Sequence, residues 1–206
     1  MSCTKGNRGI GLTIGIAAAV AFGAGAMVGA SERQPEMEQM DAESMMQAHE
    51  QANKMTEHHT HMKEMVGVWD GVLTAEMEGM PAFESKGVMT NELVMGGRFL
   101  RGTWEGEMMG EPYTGVSLMG YSGLDGEYQG IWYDSTANQI SYTTGGQAND
   151  STIEMHGEET DPTTGMTLKY KDVLHRKDSD HSSFTRTYIT PMGEMKAFTI
   201  EYTRRK

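Results

Sequence analysis

Apolar residues between positions 31 and 65 recur at helical spacing. Met62 and Met65 fall on one face of such a helix, in a stretch that has no glycine and is rich in Met, Glu, Gln, Ala and His. Most of these residue types favour helix. The pattern therefore predicts two helices, over about 36–52 and 57–65.

From residue 66 onward the apolar residues alternate with polar ones instead. The run at 198–202 reads Phe-Thr-Ile-Glu-Tyr, and Ile140 and Tyr142 alternate with polar neighbours in the same way. This period of two is typical of antiparallel strands with one buried face. Turn signals such as Asp125-Gly126 separate about ten such runs, and no long helical pattern interrupts them. We therefore predict a mainly β fold, an antiparallel up-and-down β-barrel.

The N-terminal segment has the three parts of a secretory signal. Lys5 and Arg8 precede an uncharged stretch at 10–28, and small residues follow directly before Ser31. An uncleaved anchor is the alternative, and either outcome places the rest of the chain in the periplasm or outside the cell. The predicted organisation is a signal peptide or anchor at 1–30, a Met/His-rich helical segment at 31–65 and a barrel domain at 66–206.

Charge and cysteine content narrow the function classes. The chain has 29 acidic and 17 basic side chains, a formal net charge of −12. Such a surface repels nucleic acid and anionic lipid, so membrane contact is expected only through an uncleaved N-terminal segment. The single cysteine, Cys3, precedes the apolar stretch. Cleavage of the signal would therefore leave no disulfide, thiolate metal site or cysteine nucleophile.

The helical segment offers one candidate metal site. His58, His59, His61, Met55 and Met62 are close in sequence, and imidazole with thioether suits copper, especially the cuprous ion. The chain contains 20 methionines, so these methionines are equally consistent with ordinary packing.

The interior of the predicted barrel offers a second candidate site. A barrel of eight to ten strands has room for one small ligand, held by aromatic walls and a few polar groups. We assign this role to Trp69, Arg98, Trp132, Asp134, Tyr188 and Tyr202. The aromatic residues are equally consistent with a plain core, and the two charged ones with an ion pair or a turn.

Catalysis is a further alternative. Asp134 follows two aromatic residues, and apolar surroundings would raise the pKa of its carboxyl, as in general acids. His175 is a second acid or base of this kind. No partner group stands at a known catalytic spacing, so the sequence assigns no catalytic residues.

Several segments together resemble a bacterial family, domain of unknown function 1579. They are HTHMKEMVGVW at 59–69, GGRFL at 96–100, WYDS at 132–135, DPTTG at 161–165 and EYTRRK at 201–206. The resemblance covers about residues 36–206 and implies a small calycin- or lipocalin-like barrel, exported, without catalytic residues to carry over. The opening strand at 67–71 is also similar to that of nitrobindin-like barrels. Those barrels bind haem through a late histidine, which here would be His175 or His181.

These observations lead to one leading function and three rivals. We predict non-enzymatic binding of a small apolar or amphipathic molecule in the barrel, a reading that fails if side chains fill the interior. The rivals are periplasmic copper binding by the Met/His segment, a small-molecule enzyme with its acid or base in the barrel mouth, and a structural role in the cell envelope.

Overall fold

The computed structural model of the chain describes residues 41–75 and 82–206. The predicted signal or anchor at 1–30 and the start of the helical segment lie outside the described residues. The elements are α1 (Ala42–Ala52), α2 (Glu57–Glu64), β1 (Gly67–Ala75), β2 (Phe83–Val94), a 3-10 turn (Met95–Gly97), β3 (Phe99–Met108), β4 (Glu111–Ser122), β5 (Glu127–Asp134), β6 (Ser141–Asn149), β7 (Thr152–Thr160), β8 (Thr167–Arg176), β9 (His181–Thr190) and β10 (Gly193–Arg204). None of the described helices is long and apolar enough to span a membrane.

Side-chain caps explain where the two helices begin. Asp41 precedes α1, and its carboxylate accepts a hydrogen bond from the Ser44 amide at 2.8 Å. At the start of α2 the Thr56 amide donates to Nδ1 of His59 at 2.9 Å, completing a capping box. Each cap satisfies a backbone donor that the first turn leaves free.

The ten strands form one closed antiparallel barrel. Each strand pairs with the next in sequence, and β1 pairs with β10, with Gly71 opposite Tyr202. Closure leaves no strand edge unpaired. The predicted up-and-down barrel of about ten strands is confirmed.

The meander gives the barrel two different ends. The connections β3–β4, β5–β6, β7–β8 and β9–β10 lie at one end, here called the loop end. Helix α2 packs at the other, the helix end. There Met62 is fully buried against Leu100, Met119, Tyr128 and Ile153.

Hydrogen bonds fix the C-terminal end of α2 to the barrel. The Trp69 indole donates to the carbonyl of Met65 at 3.0 Å, and Arg204 Nη2 donates to the carbonyl of Glu64 at 2.8 Å. These bonds satisfy carbonyls that the helix end leaves free. Helix α2 is therefore a fixed floor of the barrel.

Strand β6 faces the opposite way from its apolar pattern. Ile140, just before the strand, and Tyr142 within it are exposed, whereas Thr143 is buried. The Thr143 hydroxyl lies 3.8 Å from the sulfur of Met155, which belongs to β7. Because Met155 occupies this part of the interior, a small side chain fits on the inward face of β6.

Candidate ligand-binding site

The barrel encloses a cavity of about 1160 Å³. All three tryptophans of the chain, Trp69, Trp104 and Trp132, line it, and His61 and Met65 from the region of α2 form part of its floor. The volume slightly exceeds the range of about 300–1,000 Å³ that is usual for small-molecule sites. Side chains do not fill the interior, so the condition set for barrel binding is met.

Glycines behind two tryptophans account for much of this open space. A Cβ atom placed on Gly71 or Gly87 would lie 2.5 Å or 2.4 Å from the Trp104 indole. On Gly115 it would lie 2.1 Å from the indole of Trp132. Both rings therefore lie against bare backbone, at a distance that a larger residue would forbid. The centre of the barrel stays open as a result.

A network of charged groups forms one wall of the cavity. Arg186 donates to both carboxylate oxygens of Asp172 at 2.8 Å, through Nε and Nη2. Its Nη1 donates to Glu159 at 3.3 Å, and the Tyr188 hydroxyl donates to the other oxygen of Glu159 at 2.6 Å. All four residues line the cavity. The bidentate geometry is that of a strong, directional ion pair.

Burial and charge act in opposite directions within this network. Burial raises the pKa of the Asp172 carboxyl from its ordinary value, and the Arg186 guanidinium opposes that rise. Burial works to lower the pKa of Arg186, but the Asp172 carboxylate outweighs it and raises that pKa. The guanidinium carbon also lies 3.9 Å from the centre of the Tyr170 ring. Arg186 is thus held as a cation between a carboxylate and an aromatic face.

A second polar group stands where β5 ends at the loop end. Asp134 accepts hydrogen bonds from the Trp132 indole at 3.0 Å and from the Thr136 amide and hydroxyl at 2.8 Å and 2.6 Å. Burial alone would raise the pKa of Asp134, but these hydrogen bonds together lower it. The prediction that the pKa of Asp134 is raised, as in a general acid, is therefore wrong. Asp134 instead positions the indole of Trp132.

The structure places the six residues assigned to ligand binding in two locations. Five of them line the cavity: Trp69, Trp132, Asp134, Tyr188 and Tyr202. Arg98 does not, because it follows the 3-10 turn at the helix end, where its Nη1 donates to the carbonyl of Asn53 at 2.6 Å. We therefore place Arg98 outside the site, as a contact to the α1–α2 connection. The ligand-binding role of the other five stays a prediction.

The Met/His residues of the helical segment each make contacts of their own. His59 caps α2, Met62 is buried in the core, and Met55 lies beside Gly97. The ring of His58 stacks on Tyr121, with 3.7 Å between ring centroids. Within residues 41–75 and 82–206, no three His, Cys, Asp or Glu side chains converge as metal ligands. Copper binding, which would also draw on His61, stays a prediction.

The two late histidines lie outside the lining of the cavity. His175 alternates with the cavity-lining residues Asp172, Leu174 and Arg176, and its Nδ1 lies 3.0 Å from the Thr152 hydroxyl. His181 is hydrogen-bonded to the Asp178 carboxylate at 2.9 Å. Neither histidine lines the cavity. Haem binding through either histidine stays a prediction.

Comparison with known sequences identifies the family. The family described as "Protein of unknown function (DUF1579)" matches residues 54–204. The chain belongs to the DUF1579 family. The match covers α2 and all ten strands of this DUF1579 protein, so the floor and the wall of the cavity both lie inside the family domain. No curated protein matches the sequence.

Solved structures share the barrel of this DUF1579 protein at low sequence identity. One is Rv2717c from M. tuberculosis, with a TM-score of 0.55 and 14% identity, covering 74% of this chain and 100% of the other. Another is the S-type phycobiliprotein lyase CPES from Guillardia theta, with a TM-score of 0.53 and 14% identity, covering 74% and 94%. At this identity the likeness shows the fold alone.

Proposed function

We propose that this chain is a non-enzymatic binding protein that holds a small amphipathic molecule inside the barrel. The observation that carries the proposal is the cavity of about 1160 Å³, whose wall combines apolar and aromatic side chains with several charged groups, among them the Arg186 network. A large apolar pocket with a few convergent polar groups is the usual form of a small-molecule site. The sequence of residues 1–30 supports the further proposal that binding takes place outside the cytoplasm.

Apolar and charged side chains line the cavity at both ends of the barrel. Toward the helix end the lining includes Leu100, Met119 and Ile153, but also the ion pair between Glu64 and Arg176. Asp134 and Glu159 lie toward the loop end, and Arg186 donates a hydrogen bond to Glu159. We therefore expect the apolar part of the ligand to lie against the apolar and aromatic wall and its polar group beside one of these charged clusters. Burial of the apolar part would contribute about 25 cal/mol for each Å² of apolar surface.

Titration with a neutral apolar fluorophore, N-phenyl-1-naphthylamine, tests the proposal. Since all three tryptophans line the cavity, binding should quench their emission while the fluorescence of the probe rises. Ala75 lines the cavity and Thr74 beside it is exposed. Ala75→Phe should weaken probe binding, and Thr74→Phe, which adds a ring on the outer face, should not. Absence of saturable binding, or equal loss in both variants, would refute the proposal.

Native mass spectrometry of the protein from the exported fraction would then identify the natural ligand. Excess mass that matches an organic molecule and is lost on denaturation supports the proposed class. Excess mass that matches copper would move the function to the helical segment.

A further inference from the structure

Each described connection at the loop end carries one large, exposed apolar side chain. They are Met109, Ile140, Met166 and Met192, whose exposed fractions run from 63% to 98%. The meander places all four connections at one end of the barrel, so these side chains surround a single opening. Exposed apolar groups collected on one surface mark a contact with another apolar phase or a partner.

The two ends of the barrel differ in charge. In the loop-end connections 109–110, 135–140, 161–166 and 191–192, the one charged side chain is Asp161. The described connections at the helix end carry six: Arg98, Asp125, Asp150, Lys177, Asp178 and Asp180. The tips of these four connections therefore carry little charge, and the exposed acids that flank them, such as Glu111 and Glu194, lie at the strand ends. The net charge of −12 disfavours an anionic lipid surface but not a zwitterionic one.

The apolar surface continues from the loop tips into the cavity. Phe83 and Met108 stand at the loop ends of β2 and β3, and both line the cavity wall. An amphipathic molecule would therefore meet apolar side chains at the tips and again at the cavity wall. Among the described loop-end connections there is no Trp, Tyr or Arg, the residues that most often anchor protein interfaces. Methionine adapts to an irregular or fluid apolar surface.

We infer that the loop end docks on a zwitterionic lipid bilayer, with Met109, Ile140, Met166 and Met192 entering its interfacial layer. In this position the cavity opens toward the phase in which an amphipathic ligand is dissolved. The docking surface goes beyond the proposed binding function. The docking test uses no ligand, so the docking inference and the proposed binding function can each fail without the other.

An environment-sensitive dye at two matched positions provides the test. The full chain carries Cys3→Ser and either Met192→Cys at the loop end or Leu124→Cys at the helix end; Met192 and Leu124 are 98% and 82% exposed. Any contact made by residues 1–30 is common to both proteins. With phosphatidylcholine vesicles, the emission at position 192 should shift to shorter wavelength and that at 124 should not. Equal shifts, a shift at 124 alone, or no shift overturns the inference.

Two further measurements separate a bilayer from other occupants. Met109→Asn, read with the dye at 192, should weaken partitioning into vesicles about tenfold. Met95→Asn at the helix end should leave partitioning unchanged. Asparagine suits both positions, because Met95 and Met109 have φ of 51° and 54°, a conformation that asparagine tolerates. A shift at 192 that depends on protein concentration without vesicles would assign the surface to a second copy of the chain and overturn the inference.

Discussion

Replacing Arg186 with methionine should destabilise the barrel strongly. The side chains of Asp172 and Arg186 are 4% and 12% exposed, so the change leaves a carboxylate buried without its counter-ion. Breaking a buried pair on one side costs about 3–5 kcal/mol, since the remaining charge keeps its desolvation penalty. For a chain of this size that loss lowers the melting temperature by roughly 6–20 °C.

The matched control is an ion pair on the surface. Arg205 contacts Asp70 at 2.6 Å with both side chains about half exposed. Arg205→Met should therefore lower the stability far less than Arg186→Met, because solvent screens an exposed pair. The double variant Arg186→Met with Asp172→Leu should recover most of the stability lost by Arg186→Met, because it removes the buried charge as well.

The stability deficit of Arg186→Met should change with pH in a predictable direction. Burial already raises the pKa of Asp172, and loss of the guanidinium raises it further. A carboxyl with a raised pKa in the folded state favours folding while protonated, and that contribution is lost as pH rises through the raised value. The deficit of Arg186→Met should therefore be full at neutral pH and shrink in acid.

Urea and thermal unfolding followed by circular dichroism, at several pH values, measure both quantities. A deficit of Arg186→Met no larger than that of the surface control would refute the reasoning. So would a deficit that stays constant from neutral to acid pH.

Three further outcomes are expected. Met62→Ala should lower the free energy of unfolding in urea by about 2–5 kcal/mol, because it empties a fully buried site under the floor helix. Gly115→Ala should displace the indole of Trp132, which would change the tryptophan emission and weaken binding of the neutral probe. Burial lowers the pKa of His58, so stability should decline as pH falls below about 6.5, and His58→Phe should flatten that slope in thermal unfolding.

Alternation and turn chemistry were sufficient to predict the barrel. Each run with a period of two became a strand, because closure requires every strand to bury one face. Ile140 and Tyr142 were the exception: which side of β6 faces inward depends on Met155 in the neighbouring strand, and a strand's own sequence does not contain that information.

The cavity wall was predicted less completely than the barrel. Aromatic residues were recognised from their type, but Asp172 and its pairing with Arg186 were not. The signal was present, because Asp172 falls on the same face of β8 as Tyr170 and Leu174, where an acid is out of place. Its partner became evident only with the register, which sets Asp172 directly opposite Arg186.

The glycines behind Trp104 and Trp132 would influence which ligands different members of the family accept. A methyl group added at Gly71, Gly87 or Gly115 would push an indole toward the barrel axis and shorten the space available to a ligand. Ligand size is thus encoded partly in positions that never touch the ligand. Relatives with identical inward side chains would accept molecules of different length or width wherever alanine replaces one of these glycines.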